Sequence, residues 1–350
     1  MSPTKLGIES QPQIFDIRHG HNGFDLKREI VEGLQCQPRS LPSLLLWDDR
    51  GQDAFDRVSQ TPSYYPFHSE MEVLREFGTR IGGSMPADGI LLELGCGAVH
   101  KTKLILSGFR KQNKAVQYFA LDVCHRALAM SLLELREEFA DCPLITITGL
   151  LGTYDDSLIW LSSLKGHQAC QSATILWLGN SICNMSTQEE ASIFLERFSA
   201  ACRHADLACR FVVSTDICQN EDKIMDAYDL DKPEMQSFIF NALDSANAAL
   251  GYEALSAADW VPTSWLDNYE HTLHFYLTAK RDVHVPLRFS MGIGTVTIRK
   301  GERMHVIPTG KWSEDVMSSV CERAGFQIQQ RWKDISGDYC VFLLSQERAW

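Results

Sequence analysis

The segment Glu93-Leu94-Gly95-Cys96-Gly97 carries the clearest chemical signal in this chain. It closes a short apolar run, Ile90-Leu91-Leu92-Glu93-Leu94, that reads as a buried strand entering a tight turn. Glycines at such a turn let the backbone approach a ligand closely. Asp122 ends the next strand, where an acidic side chain accepts hydrogen bonds from ribose hydroxyls in nucleotide-type sites. The pattern is E-x-G-x-G; Ala98 and His100 follow, without the third glycine of a dinucleotide fingerprint. A pyrophosphate needs a helix N-terminus free for its charge, and a sulfonium amino acid does not. The turn therefore favours S-adenosyl-L-methionine over a dinucleotide. The same short motif occurs in βα turns that bind nothing; the strand, the following helix and Asp122 together point to a cofactor.

A second set lies at Leu178-Gly179-Asn180-Ser181-Ile182-Cys183-Asn184, after a later strand. Ligands of an open parallel sheet bind beyond the carboxyl ends of its strands, which puts Asn180, Ser181 and Asn184 at the active site. Asn and Ser also serve plain turns and caps. Trp47, Tyr64 and Tyr65 read by themselves as packing aromatics. Asp155-Asp156 could be an acid–base pair, but at a helix start they also complement the macrodipole, and that reading is favoured. His19-Gly20-His21 could ligate a metal, yet two histidines without further ligands suit an exposed turn. Cys202, Cys209 and Cys218 lack zinc-ligand spacing, so no metal is expected.

The elements that must position these residues follow a regular rhythm. Helical spacing predicts a helix over 68–81, then helices over 101–110, 126–139, 155–164 and 187–202, the last with Thr187 as cap and Glu190 completing a capping box. Strands are predicted at 90–94, 116–122, 144–147, 173–178 and 211–213. Such alternation means a doubly wound α/β core with a parallel sheet. After Asp216 the rhythm breaks into a helix over 233–250, several strands across 255–312, a helix over 315–324 and a hairpin at 326–331 and 339–344. The expected division is an N-terminal substrate-capping segment (1–57), a cofactor-binding core (58–216), a substrate lobe (217–312) and a helix and hairpin returning to the core (313–350).

Composition bounds the partners. A 350-residue chain that is 45% hydrophobic can form such a core plus a second lobe. A formal net charge of -12 argues against nucleic acid or an anionic membrane as the main partner. No apolar run approaches the roughly 20 residues of a spanning helix, and no apolar signal region follows Met1. The 11 cysteines include no C-x-x-C pair and read as reduced thiols in a cytoplasmic protein. The expected partner is a small molecule.

Seven segments carry a family resemblance: "SLPSLLLWDDRGQDAFDRVSQTPSYYP", "LLELGCGAVHKTKLIL", "YFALDVC", "GLLGTYDDSLIWL", "LGNSICN", "FIFNALDSANAALGYEAL" and "KGERMHV". In this order, from about residue 14 onward, the chain resembles the histidine-specific, ergothioneine-type methyltransferases that use S-adenosyl-L-methionine. It looks most like their fungal branch, which includes 4-dimethylallyltryptophan N-methyltransferase. The resemblance implies a seven-stranded class I methyltransferase core with a mixed α+β substrate lobe. It implies cofactor contacts from Glu93, Gly95, Gly97, Lys101, Asp122, Thr153, Tyr154 and Gly179, with Asp122 on the ribose and Thr153 and Tyr154 near the adenine. It implies a substrate carboxylate held by Tyr64, Asn184 and Tyr228, and an amine flanked by Gly179 and Ser181. Trp47 stands where the family has another tyrosine.

The departures from the family pattern bear on substrate. Histidine-specific members carry a glutamate and a serine that bind imidazole; here Ile307 and Thr309 hold those positions, and Phe275 replaces a methionine. Isoleucine cannot pair with imidazole N–H groups, and a site that loses a polar partner changes its preferred ligand. An apolar, aromatic pocket suits an indole better. The expected reaction is methyl transfer to the amino nitrogen of an aromatic amino acid or indole precursor in secondary metabolism. Because the chain ends at Trp350, a stand-alone methyltransferase is expected. Two other readings use the same residues: a histidine N-alpha-methyltransferase that binds imidazole through another group, and a non-catalytic homologue that keeps the cofactor site.

Overall fold

The computed structural model describes residues 12–18, 25–166, 170–289 and 292–346. In chain order the first half comprises β1 (Ile14–Asp16), α1 (Leu26–Gln35), β2 (Arg39–Ser40), α2 (Asp49–Gln60), α3 (Tyr65–Ser84), β3 (Gly89–Leu94), α4 (His100–Lys111), β4 (Val116–Asp122), α5 (His125–Glu138), β5 (Ile145–Leu151), α6 (Tyr154–Ser163), β6 (Ser172–Trp177), α7 (Gln188–His204) and β7 (Ala208–Asp216). The second half comprises α8 (Glu221–Ala227), α9 (Pro233–Leu250), β8 (Trp260–Asp267), β9 (Thr272–Ala279), β10 (Val283–Phe289), β11 (Gly292–Ile298), β12 (Arg303–Gly310), α10 (Glu314–Arg323), β13 (Gln327–Lys333) and β14 (Tyr339–Ser345).

The main sheet runs β1-β5-β4-β3-β6-β7-β14-β13. Every residue of β3 and β6 is buried, as expected of central parallel strands covered on both faces. The chain winds outward from β3 to β4 and β5, then crosses to β6 and β7, so the order reverses between β3 and β6. Ligand crevices form at that switch point, outside the carboxyl ends of the strands. The C-terminal hairpin rejoins the sheet, with β14 antiparallel to β7. The sheet has the seven strands expected and one more: β1 pairs in parallel with β5 and extends the edge.

A second sheet, β2-β12-β9-β8, packs with α1, α2 and α9 into a separate apolar cluster, and β10 and β11 pair by themselves. Among the described residues before position 58, β1 joins one sheet and β2 the other. Helix α9 begins on Pro233 and ends at Gly251 in the left-handed conformation, the stop read from its sequence. Thr187 caps α7 as expected, but the Glu190 carboxylate accepts from Ser186 N rather than from the cap residue. The capping box lies instead at Thr153 and Asp156, at the start of α6.

All 11 cysteines are free thiols. Among the described residues, no helix is long and apolar enough to cross a membrane, and no group of three or more candidate ligands could hold a metal. The His19–His21 pair lies outside the described residues.

Candidate active site

The carboxyl ends of β3, β4 and β6 open into a cavity of 1470 Å³. Single-ligand pockets are usually about 300–1,000 Å³, so this one has room for two molecules side by side. Each of the sixteen residues expected to form the site lines it.

On the cofactor side, Gly97 has φ +43, and a Cβ built on it would meet nothing within 4 Å. A side chain there would project into open space, which is the cradle a ligand needs. Asp122 stands beside it, at the end of β4. One carboxylate oxygen accepts from Gly97 N at 3.3 Å; the other accepts from Cys124 N at 2.9 Å and from Gln52 Nε2 at 3.1 Å. Burial pushes the Asp122 carboxyl above its usual range, opposed by these donors. Gln52 comes from α2, so the N-terminal segment reaches the cofactor side of the cavity. A carboxylate at this strand end and an open glycine turn fit an adenosyl group with its amino-acid tail. Thr153 spends its hydroxyl on the Asp156 capping box. The Tyr154 hydroxyl lies 3.3 Å from where a Gly95 Cβ would be.

Glu93 turns to the protein interior, where one oxygen accepts from Thr102 and from Tyr118. Burial pushes its carboxyl up to about 7 against these two donors. The folded protein therefore holds a proton that the unfolded chain has already released. Glu93 contributes stability that is full below the ordinary value of 4.5 and is lost as pH rises through about 7. Glu93→Gln should gain stability relative to the parent between those two pH values, read by urea unfolding at each. Parallel pH profiles for the two proteins would contradict this assignment.

Lys101 is anchored by a residue the sequence reading overlooked. Its Nζ lies 2.6 Å from Glu70 Oε2, whose side chain is 1% exposed. The other Glu70 oxygen accepts from Gly179 N at 2.8 Å and from Ser214 Oγ. Glu70 thus ties α3 to α4, to the loop after β6 and to β7 itself. Gly179 has φ +75, and a Cβ there would come within 3.3 Å of Lys101 Nζ, so this close approach requires glycine. Glu70→Gln should cost about 2–3 kcal/mol of stability, since it strips a counterion from Lys101; a fully buried pair would cost about 3–5. Chemical denaturation measures it, and a loss under about 0.5 kcal/mol would show the network to be dispensable.

The loop after β6 divides its polar groups. Asn180 is buried in the left-handed conformation and stitches the lobes together. Its Nδ2 donates to Thr309 Oγ1 and Gly310 O, both at 3.2 Å, while its Oδ1 accepts from Asp216 N at 2.8 Å. Ser181 donates its hydroxyl to Leu178 O at 2.7 Å, leaving lone pairs and not a proton for a ligand. Asn184 lines the cavity with its amide uncommitted to other described residues.

The opposite wall of the cavity is aromatic. Trp47 meets Phe55 and Phe238 at ring separations of 5.2 and 5.3 Å; Phe55 meets Tyr64 at 5.8 Å. Tyr64 meets Tyr228 at 5.2 Å, and Tyr228 meets Phe275 at 5.8 Å. Edge and tilted contacts of this kind add to the area the rings bury. Ile307 pairs with Phe275 across β12 and β9, just past a bulge between His305 and Ile307 that breaks the regular register. The hydroxyls of Tyr64 and Tyr228 are 3.4 Å apart, and burial holds both phenols well above their ordinary range, in the neutral form. Phe55 and Phe238 were not singled out from the sequence, where each looks like an ordinary apolar position on an amphipathic helix.

A family model described as histidine-specific, SAM-dependent methyltransferase matches residues 26–346. The chain is 37% identical to N-methyltransferase benX of Aspergillus terreus over 347 residues, 98% of this chain and 95% of that one. It is 36% identical to N-methyltransferase dtpB of Aspergillus flavus over 328 residues, 94% and 90% of the two chains. It is 25% identical to 4-dimethylallyltryptophan N-methyltransferase easF of Aspergillus fumigatus over 351 residues, 96% and 98% of the two.

Proposed function

This chain belongs to the histidine-specific, SAM-dependent methyltransferase family and is an N-methyltransferase that uses S-adenosylmethionine; we propose that its acceptor is the amino nitrogen of an aromatic amino acid or an indole precursor derived from one, in fungal secondary metabolism. The observation that carries this reading is the wall made by Ile307 and Phe275 in register, continued by Tyr228 and Tyr64. An imidazole would find no carboxylate at Ile307, and the Thr309 hydroxyl already accepts from Asn180 and Lys311. The easF relative, whose name specifies an indole substrate, supports the same class.

When bound, S-adenosylmethionine supplies a methyl group activated by its sulfonium. In this reading Asp122 holds the ribose, Gly95 and Gly97 lie along the methionine portion, and Thr153 and Tyr154 flank the adenine. Tyr64, Tyr228 and Asn184 hold the substrate carboxylate, and Gly179 and Ser181 border the amine. Attack requires a neutral amine, and a neighbouring positive charge lowers an amine's pKa. The residues raise the rate by fixing nitrogen, methyl and sulfur in line. The proton released by the new ammonium leaves through water, so no side chain need act as base.

A panel of tryptophan, 4-dimethylallyltryptophan, tyrosine, phenylalanine and histidine, incubated with isotope-labelled cofactor, tests the reading. Fragment mass spectra should put the label on the amino nitrogen of an aromatic member. Label on a ring atom alone would overturn it.

A further inference from the structure

Lys311 and Asp216 form an ion pair sealed behind the cavity wall. Their side chains are 1% and 0% exposed, with Lys311 Nζ 2.8 Å from Asp216 Oδ2. The pair has two unlike sides. Behind Asp216, Tyr65 donates its hydroxyl to Oδ2 at 2.7 Å and Cys218 N donates to Oδ1 at 3.0 Å. In front, Lys311 Nζ donates to the Tyr228 hydroxyl oxygen at 2.8 Å and lies 3.4 Å from Thr309 Oγ1, and both of these residues line the cavity. The carboxylate is buried among donors, and the ammonium faces the substrate wall. As a stabiliser such a pair is weak, because desolvation offsets most of its attraction. It can, however, orient its neighbours.

Tyr228 shows how. Its oxygen already accepts from an ammonium, so its own proton must go to Tyr64 or to a ligand. The two phenols share one contact between them, which leaves a phenolic proton for an acceptor in the cavity. A charge-assisted bond at one end of such a chain also strengthens the donor at the other.

We propose that Lys311 is a positioning residue: through Tyr228 it aims phenolic protons into the cavity and makes this corner select substrates that carry a carboxylate. The proposal rests on the reading that Tyr64, Tyr228 and Asn184 receive the substrate carboxylate. It adds the source of their selectivity, which lies outside the cavity and touches no ligand.

Calorimetry on the full chain loaded with S-adenosylhomocysteine tests it, with L-tryptophan and tryptamine as probes that differ only in the carboxylate. The parent should prefer tryptophan. The double variant Asp216→Asn/Lys311→Met removes both charges, so neither is left buried alone. Its preference for tryptophan over tryptamine should fall by about 10-fold to 100-fold, the range for hydrogen bonds to a charged group. Its affinity for tryptamine itself should change by less than about threefold, an outcome that general loosening of the site would not produce. Tyr228→Phe should show the same fall, and adding it to the double variant should cause little more. A double variant that keeps the parent's preference overturns the role of Lys311 and leaves the carboxylate reading standing. A parent that binds the two probes alike overturns the carboxylate reading, and the proposal with it. If the double variant does not fold, spectra of the parent labelled with ¹⁵N-lysine decide. Tryptophan, and not tryptamine, should shift an exchange-protected ζ-ammonium signal; no shift, or the same shift with both, overturns the proposal.

Discussion

Asp122→Asn should weaken S-adenosylhomocysteine binding by about 100-fold. The carboxylate accepts from Gly97 N, Cys124 N and Gln52, and lines the cavity beside an open glycine turn. A hydrogen bond to a charged acceptor is worth about 1.5–3 kcal/mol, so losing the ribose contact costs up to roughly 3 kcal/mol, or about two decades in Kd. An amide has one acceptor and one donor group, so it would also set a donor against a backbone N–H. Some stability should be lost with the affinity, and a melting curve separates the two effects. Gln52→Ala should act in the same direction more mildly, since it removes a neighbour and not the ligand. Calorimetric affinity within about threefold of the parent would remove Asp122 from the cofactor site.

Ile307→Glu should invert the substrate preference. The residue is 5% exposed and faces Phe275 in register, so a carboxylate there loses solvation and gains no cation from its pair partner. An imidazole N–H can satisfy that carboxylate, and an indole-bearing substrate cannot do so in the same pose. The ratio of kcat/KM for histidine over tryptophan should rise by about 1,000-fold. That is less than the roughly 10⁴–10⁵ of sites built wholly around a polar partner, because the rest of this wall stays apolar. An unchanged ratio in a variant that still binds S-adenosylhomocysteine would show that position 307 does not read the substrate ring.

What could be read from the sequence was whatever lies close along the chain. Gly95 and Gly97 follow the end of β3 and Asp122 ends the next strand, so this turn and this carboxylate, which line the cavity together, were legible. The β13–β14 hairpin, expected at 326–331 and 339–344, was legible as well. Strand β1 did not, because three residues are too few to show alternation. Glu70 and Lys311 were missed for a different reason. Glu70 is one of several charged residues along α3 and Lys311 follows the last residue of β12, so neither stands out, and their partners, Lys101 and Asp216, are distant in sequence. The residue family pointed to Tyr228 and Thr309 as ligand contacts; only packing reveals the ammonium behind both. The order of the second sheet was equally hidden, since β12 pairs in parallel with β2 across most of the chain.

The most direct test of the central claim is a competition assay in which tryptophan and histidine share one reaction with labelled S-adenosylmethionine. Relative label incorporation gives the ratio of their kcat/KM values. With the wall of Ile307, Phe275 and Tyr228 setting the choice, tryptophan should take the label by at least about 10-fold over histidine. Equal or greater labelling of histidine would contradict the claim that this site is built for an apolar ring.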